Sequence, residues 1–210
     1  MQITWFGRAC FELVTKSGTV VICDPYHPLT GYDAHPRKAD IVTISHEHGD
    51  HNYLGWIEGK PEVIRGAGEC TVKGVKVTGV ESFHDDSGGA QRGPNTVFLI
   101  EADDLRVCHL GDLGHEPDEA LYQKIGKPDV LFVPAGGYFT LEPFRAAAVA
   151  EHTGAKLIIP MHYKTGAKDE PISDASAFAG KLGAEKREEC TISVDEHYSG
   201  PRAVVLDYLR

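Results

Sequence analysis

Paired cysteines, long apolar runs and an excess of basic charge are all missing from this chain, and each absence narrows what it can be. The cysteines are Cys10, Cys23, Cys70, Cys108 and Cys190, an odd number with no C-x-x-C spacing. In a chain of 210 residues that pattern argues against a disulfide scaffold and for reduced thiols. No apolar run approaches the roughly 20 residues that cross a bilayer as a helix. The first residues, Met1 to Phe6, have the texture of a strand rather than of a signal peptide, and a cytoplasmic location is expected. Acidic residues outnumber basic ones by 31 to 21, for a formal net charge of −10. A general nucleic-acid surface, which needs clustered Lys and Arg, is therefore disfavoured. The charge says little about small anionic substrates, because bound cations can make one site positive in an acidic protein; a small-molecule substrate is expected. Linkers rich in Gly and Ser, low-complexity tracts and internal repeats are absent too. A single domain over residues 1–210 is expected.

What is present begins with strands. Ile3 to Phe6, Phe11 to Thr15 and Thr19 to Cys23 are short, β-branched or aromatic, and separated by Gly7 and Ser17-Gly18, the pattern of hairpins. Ile41 to Ile44 is a fully apolar strand, and Asn52 to Ile57 is expected as a short helix. Further strands are expected at 62–65, 74–80, 95–101 and 105–110, with Asp103-Asp104 as a tight turn. After residue 112 helix and strand alternate. Helices are expected at 117–125, at 141–152 and at 173–182 with Ser173 as N-cap, and strands at 129–134, 156–160 and 203–206. Two packed sheets with helices outside would bury all of these elements.

Ser45-His46-Glu47-His48-Gly49-Asp50-His51 carries the chemistry. Four candidate metal ligands, His46, His48, Asp50 and His51, follow directly on an apolar strand. Imidazoles with a carboxylate suit a borderline divalent ion such as zinc, manganese, iron or nickel. A helix could not aim all four side chains at one point, since positions i and i+2 face apart, whereas a loop leaving a rigid strand can. Three later residues share the same placement just past a strand: His84, Asp112 and His162. His115 and Asp85 lie near them in sequence. His109 alternates away from Asp112 along its strand and is expected to be structural.

The H-x-H-x-D-H motif at 46–51, with a later His, a later Asp and a last His in that order, resembles the metallo-β-lactamase superfamily. The surroundings, Arg92-Gly93-Pro94-Asn95-Thr96, His109 to His115 and Pro160-Met161-His162-Tyr163, resemble the group labelled Zn-dependent hydrolases of the β-lactamase fold. Ascorbate-6-phosphate lactonase and N-acyl-phosphatidylethanolamine phospholipase D look like relatives of that group. The resemblance implies an α/β, four-layered αββα sandwich. It implies two divalent ions, zinc foremost, with His46, His48 and His84 on the first. Asp50, His51 and His162 would hold the second, and Asp112 would bridge them. Asp112 departs from true β-lactamases, and His48 stands where flavodiiron proteins have Glu.

The activity expected from such a site is metal-dependent hydrolysis. A hydroxide shared by the metals would attack a small ester, lactone or phosphodiester. Asp50 would also orient that nucleophile, and His115 would donate a proton or stabilise the oxyanion, or else cap the helix near Pro117. Asp24 and Asp85 are candidates to hold the outer ring nitrogens of the ligand histidines. A mononuclear-iron oxidoreductase of the sulfur dioxygenase kind and a non-catalytic metal-binding protein are the alternatives. The full second ligand set favours two metals.

Overall fold

The apolar runs that read as strands bury both faces. A computed structural model describes all 210 residues. One sheet contains β1 (Gln2–Gly7), β2 (Cys10–Val14), β3 (Val20–Cys23), β4 (Ile41–Ile44) and β5 (Glu62–Arg65). The other contains β6 (Gly68–Val72), β7 (Val75–Phe83), β8 (Pro94–Ala102), β9 (Leu105–His109), β10 (Val130–Pro134) and β11 (Leu157–Met161). A late strand, β12 (Thr191–Ser193), returns to pair with β1, so the sheet orders are β12-β1-β2-β3-β4-β5 and β11-β10-β9-β8-β7-β6. Pairing is antiparallel among β1, β2 and β3 and among β6 to β9, then parallel through β4 and β5 and through β10 and β11.

Alternation along each strand sorts side chains between two cores. Phe98, Ile100, Val130 and Phe132 face the first sheet and meet Ile3, Trp5, Phe11 and Leu13 in the central cluster. The intervening Val97, Leu99, Leu131 and Val133 face outward, against the helices. Phe11 and Phe132 stack across the sandwich with centroids 3.8 Å apart. Each buries a side chain worth about 1.5–3 kcal/mol.

The helices are α1 (Glu119–Ile125), α2 (Pro143–Thr153) and α3 (Ser176–Leu182). Leu121 and Ile125, then Ala146, Ala147, Val149 and Ala150, and Phe178 supply their buried sides. Over the outer face of the first sheet, loops and a 3-10 turn at Pro28–Thr30 form the covering layer, with Tyr26, Tyr32 and Trp56 packed on Phe6, Ile22 and Val42.

Several expectations need correction. Residues 52–57 form no helix. Their polar groups are claimed by a distant segment: the Tyr53 N–H donates to the Pro25 carbonyl at 2.8 Å, and the Trp56 indole donates to the Tyr26 carbonyl at 2.8 Å. Asp118, not Pro117, sets the start of α1, its Oδ1 accepting from the Leu121 N–H at 2.8 Å. Ser173 caps nothing; its N–H donates to the Gly136 carbonyl at 2.7 Å, and α3 begins three residues later. The exposed β6 and the three-residue β12 lack the apolar alternation that would announce them. Asp103 and Asp104 do form the tight turn, both at positive φ (57° and 61°), as a primed hairpin turn requires.

One rim matters for function. β3, β4, β7, β9, β10 and β11 all finish there. The Thr96 N–H donates to the Ser45 carbonyl at 2.9 Å, and the His162 N–H donates to the Arg8 carbonyl at 3.0 Å. These two bonds join the sheets on either side of the residues that follow the strand ends. No helix is long and apolar enough to cross a membrane.

Candidate metal centre

Every strand-end residue singled out in the sequence arrives at that rim. His46, His48 and His84 place one ring nitrogen each within 4.8 Å of one another, and Asp50, His51 and His162 do the same with a carboxylate oxygen and two nitrogens. Asp112 lies between the two groups. Its Oδ2 is 3.2 Å from His84 Nε2, 3.2 Å from His51 Nε2, 3.3 Å from His162 Nε2 and 3.8 Å from His46 Nε2. His48 is exposed at the mouth, whereas His46, His51, His84, Asp112 and His162 are buried.

The Asp112 backbone is placed by a polar network under the rim. Its N–H donates to Asn95 Oδ1 at 2.9 Å, while the Asn95 amide donates to Ser82 Oγ at 2.7 Å and to the Leu110 carbonyl at 2.9 Å. Gly111, at φ +57°, has no room for a side chain, because a Cβ would lie 2.3 Å from Asn95 Oδ1 and 2.6 Å from Ser45 Cβ. Asp24, His162 and Arg8 hold positive φ values of 45°, 49° and 51° without being glycine. Each such residue costs of order 1–2 kcal/mol, and such strain concentrates at functional sites.

Asp24 is the hidden organiser. It is completely buried. Its Oδ1 accepts the Ser45 N–H at 2.8 Å, and its Oδ2 accepts the Ser45 hydroxyl at 2.5 Å and His51 Nδ1–H at 2.8 Å. Ser45 Oγ, having donated its proton, accepts His46 Nδ1–H at 3.0 Å. One carboxylate thus fixes both rings through Nδ1 so that each turns its Nε2 towards Asp112. Asp24 also lies within ligand distance of His46 and His51, but these bonds already occupy it. Asp85 does not share the role. It accepts backbone N–H groups from Ser87, Gly89, Gln91 and Arg92 at 2.7–3.0 Å and folds the 85–93 loop.

The residues fit a metal. Asp112 Oδ1, His51 Nε2 and His162 Nε2 are buried and have no hydrogen-bond partner, a costly state for such groups unless something else satisfies them. The electrostatics agree. Burial opposes charge on His51, yet Asp112, Asp50 and Asp24 outweigh it and push its pKa well above the ordinary value. Burial, together with the charge on His51, pushes His46 down to about 3. Burial also opposes ionisation of Asp112, but His162 and His51 hold it well below the usual carboxylate range. These carboxylates demand positive charge between them.

Arg8 and Glu170 gave no sign in the sequence. The Arg8 guanidinium forms two bonds to Glu170, at 2.7 and 2.8 Å, and lies 3.1 Å from Asp50 Oδ2. It thereby pins Asp50 from outside the ligand cluster. A single arginine after a strand carries no spacing signal, and its partners are 42 and 162 residues away.

His115 is placed differently from expectation. Its Nδ1–H donates to the Glu116 carbonyl at 2.9 Å and its Nε2 accepts the Phe83 N–H at 3.2 Å. The backbone partners set the tautomer and occupy both nitrogens in this structure. His115 is not the cap of α1 either; it clamps the end of β7 beside His84. His109 is structural, donating from Nε2 to the Ala9 carbonyl at 2.7 Å and accepting the Gly111 N–H at Nδ1. Burial raises the thiols of Cys23 and Cys108 to about 12, so neither is a ready nucleophile.

Comparison with known proteins supplies the family. Residues 2–162 match the beta-lactamase superfamily domain. A UPF0173 metal-dependent hydrolase of Methanoculleus marisnigri is 35% identical over 188 residues, covering 79% of this chain and 82% of that protein. A Thermotoga maritima crystal structure, assigned to the Zn-dependent hydrolases of the metallo-beta-lactamase superfamily, superposes with a TM-score of 0.85 at 38% identity, covering 99% of both chains. A Parabacteroides distasonis structure shares the fold at a TM-score of 0.70 and 19% identity, covering 99% of this chain and 93% of that one. With its fold, its ligand cluster and these relatives, the chain belongs to the beta-lactamase superfamily, among its UPF0173 metal-dependent hydrolases.

Proposed function

We propose that this chain is a two-metal hydrolase of small ester, lactone or phosphodiester substrates. The observation that carries the proposal is the position of Asp112 Oδ2, 3.2 Å from His84 in one ligand group and 3.2 and 3.3 Å from His51 and His162 in the other. His46, His48 and His84 would hold one ion, Asp50, His51 and His162 the second, and Asp112 both. Zinc suits this donor set, with manganese, iron and nickel also compatible. Two bound divalent ions would supply Lewis acidity towards a carbonyl or phosphoryl oxygen and lower the pKa of a shared water towards roughly 7.

The protein's part is orientation. Asp24 aims His51 directly and His46 through Ser45. Arg8 holds Asp50 in place, and the Asp50 side chain keeps 25% exposure where that of Asp112 keeps 3%. Asp50 is therefore the carboxylate able to meet a nucleophilic water and accept its hydrogen bond. A cytosolic setting suits the five free cysteines.

The test is a panel of esters, lactones and phosphodiesters on metal-reconstituted protein, with metal counted by mass spectrometry. Two ions per chain and hydrolysis of at least one class are expected, with both reduced in Asp112→Ala. One iron per chain together with oxygen consumption would overturn the hydrolase assignment. Full metal content and activity in Asp112→Ala would overturn the bridging role.

A further inference from the structure

We propose that Arg92 is an anion-recognition residue beside the metal centre, so that the preferred substrate carries a phosphate or carboxylate group in addition to the bond that is cleaved. This subsite presupposes the hydrolase function proposed above and adds a substrate class to it.

Arg92 lines a cavity of about 630 Å³ that is also lined by His46, His48, Phe83 and Glu81, and Glu81 forms no ion pair with it. Its guanidinium lies over the Phe139 ring, 4.5 Å from the centroid. It takes part in none of the ion pairs of the protein, and its side chain forms no hydrogen bond. That is unusual company for a cation in a chain of net charge −10. The other arginine of the cavity, Arg65, is already paired with Glu47 at 3.0 Å. Asp85, seven positions earlier, is filled by four backbone N–H groups and is not available to Arg92.

The arginine is also held ready. The Arg92 N–H is one of those four donors, at 2.7 Å. The neighbouring Gly93 donates its N–H to the Gly89 carbonyl at 3.0 Å and accepts the His84 N–H at 3.1 Å. The segment carrying Arg92 is therefore tied to the backbone of a ligand histidine. The aromatic face fixes the plane of the fork by cation–π contact. An unpaired fork already oriented by that contact presents five N–H donors, and the guanidinium geometry matches phosphate and carboxylate oxygens. Exposed Phe83 (41%) and Tyr138 (63%), the latter packed edge-on against Phe139, give the rim an apolar border for the rest of such a substrate.

The experiment uses the metal-loaded full chain and a matched pair of activated esters, mono-p-nitrophenyl glutarate and its neutral methyl ester, with bis(p-nitrophenyl) phosphate alongside. Binding of inorganic phosphate is followed by calorimetry. Arg92→Gln should raise KM for the charged probe about 10- to 100-fold, the worth of a charge-assisted hydrogen bond. It should leave the neutral ester little changed and weaken phosphate binding. Arg92→Lys should recover only part, since the charge remains but the fork is lost. Arg65→Gln, at the paired arginine, should change none of these much. Equal effects of Arg92→Gln on charged and neutral esters, or phosphate binding indifferent to it, would overturn the subsite. Phosphate binding that depends on Arg92 in a protein that hydrolyses no probe would retain the subsite and sink the hydrolase function.

Discussion

Asp24→Asn isolates the orienting carboxylate with the smallest possible change. Asparagine fits the volume and tolerates the left-handed backbone at φ 45°. It has one acceptor oxygen where Asp24 has two. If the amide oxygen takes the Oδ1 place and keeps the Ser45 N–H, the NH2 faces Ser45 Oγ and His51 Nδ1. His51 must then accept at Nδ1 and carry its proton on Nε2, pointed at Asp112 Oδ2 only 3.2 Å away. Ser45, now accepting from the amide, donates to His46 Nδ1 and turns that ring's proton inward as well. If the amide flips, its NH2 meets the Ser45 N–H across 2.8 Å, donor against donor, at a cost of about 1–3 kcal/mol. The first arrangement turns ring protons towards the cation, whereas the second keeps both tautomers at that cost in stability; in both the orienting negative charge is lost, and replacing such a supporting partner lowers metal affinity by about 10- to 100-fold. That is roughly 1.4–2.7 kcal/mol. Zinc competition against a chromophoric chelator measures the affinity, and nitrogen-15 shifts of the histidine rings report the tautomers. Unchanged affinity with His46 and His51 still unprotonated at Nε2 would refute the role of Asp24.

Three further outcomes are expected. Arg8→Met should destabilise the protein by about 3 kcal/mol, because Glu170 and Asp50 lose the cation between them. Adding Glu170→Gln should recover part of the melting temperature but not the turnover; recovery of both would show that Arg8 does nothing for Asp50. His115→Ala should lower stability by about 1 kcal/mol through its lost backbone bonds and leave metal content intact. Loss of one limb of the pH–rate profile in that variant would restore His115 as a proton donor. Asp85 should make the 85–93 loop acid-sensitive. Burial opposes its charge, but its four backbone donors hold the carboxyl at about 2. Its contribution is therefore complete above the ordinary carboxylate range near pH 4 and is lost as pH falls towards 2. Thermal melts of wild type and Asp85→Asn should converge over that window; a gap independent of pH would contradict the assignment.

The sequence by itself determined the strands whose chemistry is local and the ligands that sit at their ends. Runs as apolar as Val130 to Val133, or as Ile41 to Ile44 with its single Thr43, are buried on both faces. A loop with His46, His48, Asp50 and His51 directly after one of them already points to a metal at a strand end. Asp103-Asp104 declared its turn for the same reason, since its backbone preference is its own. The edge strand β6 and the segment 52–57 were not legible, because their hydrogen bonds are assigned by neighbours far along the chain. Tertiary structure alone decided the rest of the site. It brought Arg8 within 3.1 Å of Asp50, gave His46 and His51 one shared orienting carboxylate, diverted Asp85 to its own loop and closed both nitrogens of His115. The physical reason is common to these cases. A ligand type follows from the donor atom a residue carries, but the direction in which that atom points and the proton it holds follow from hydrogen-bond partners that only the packed sheets bring together.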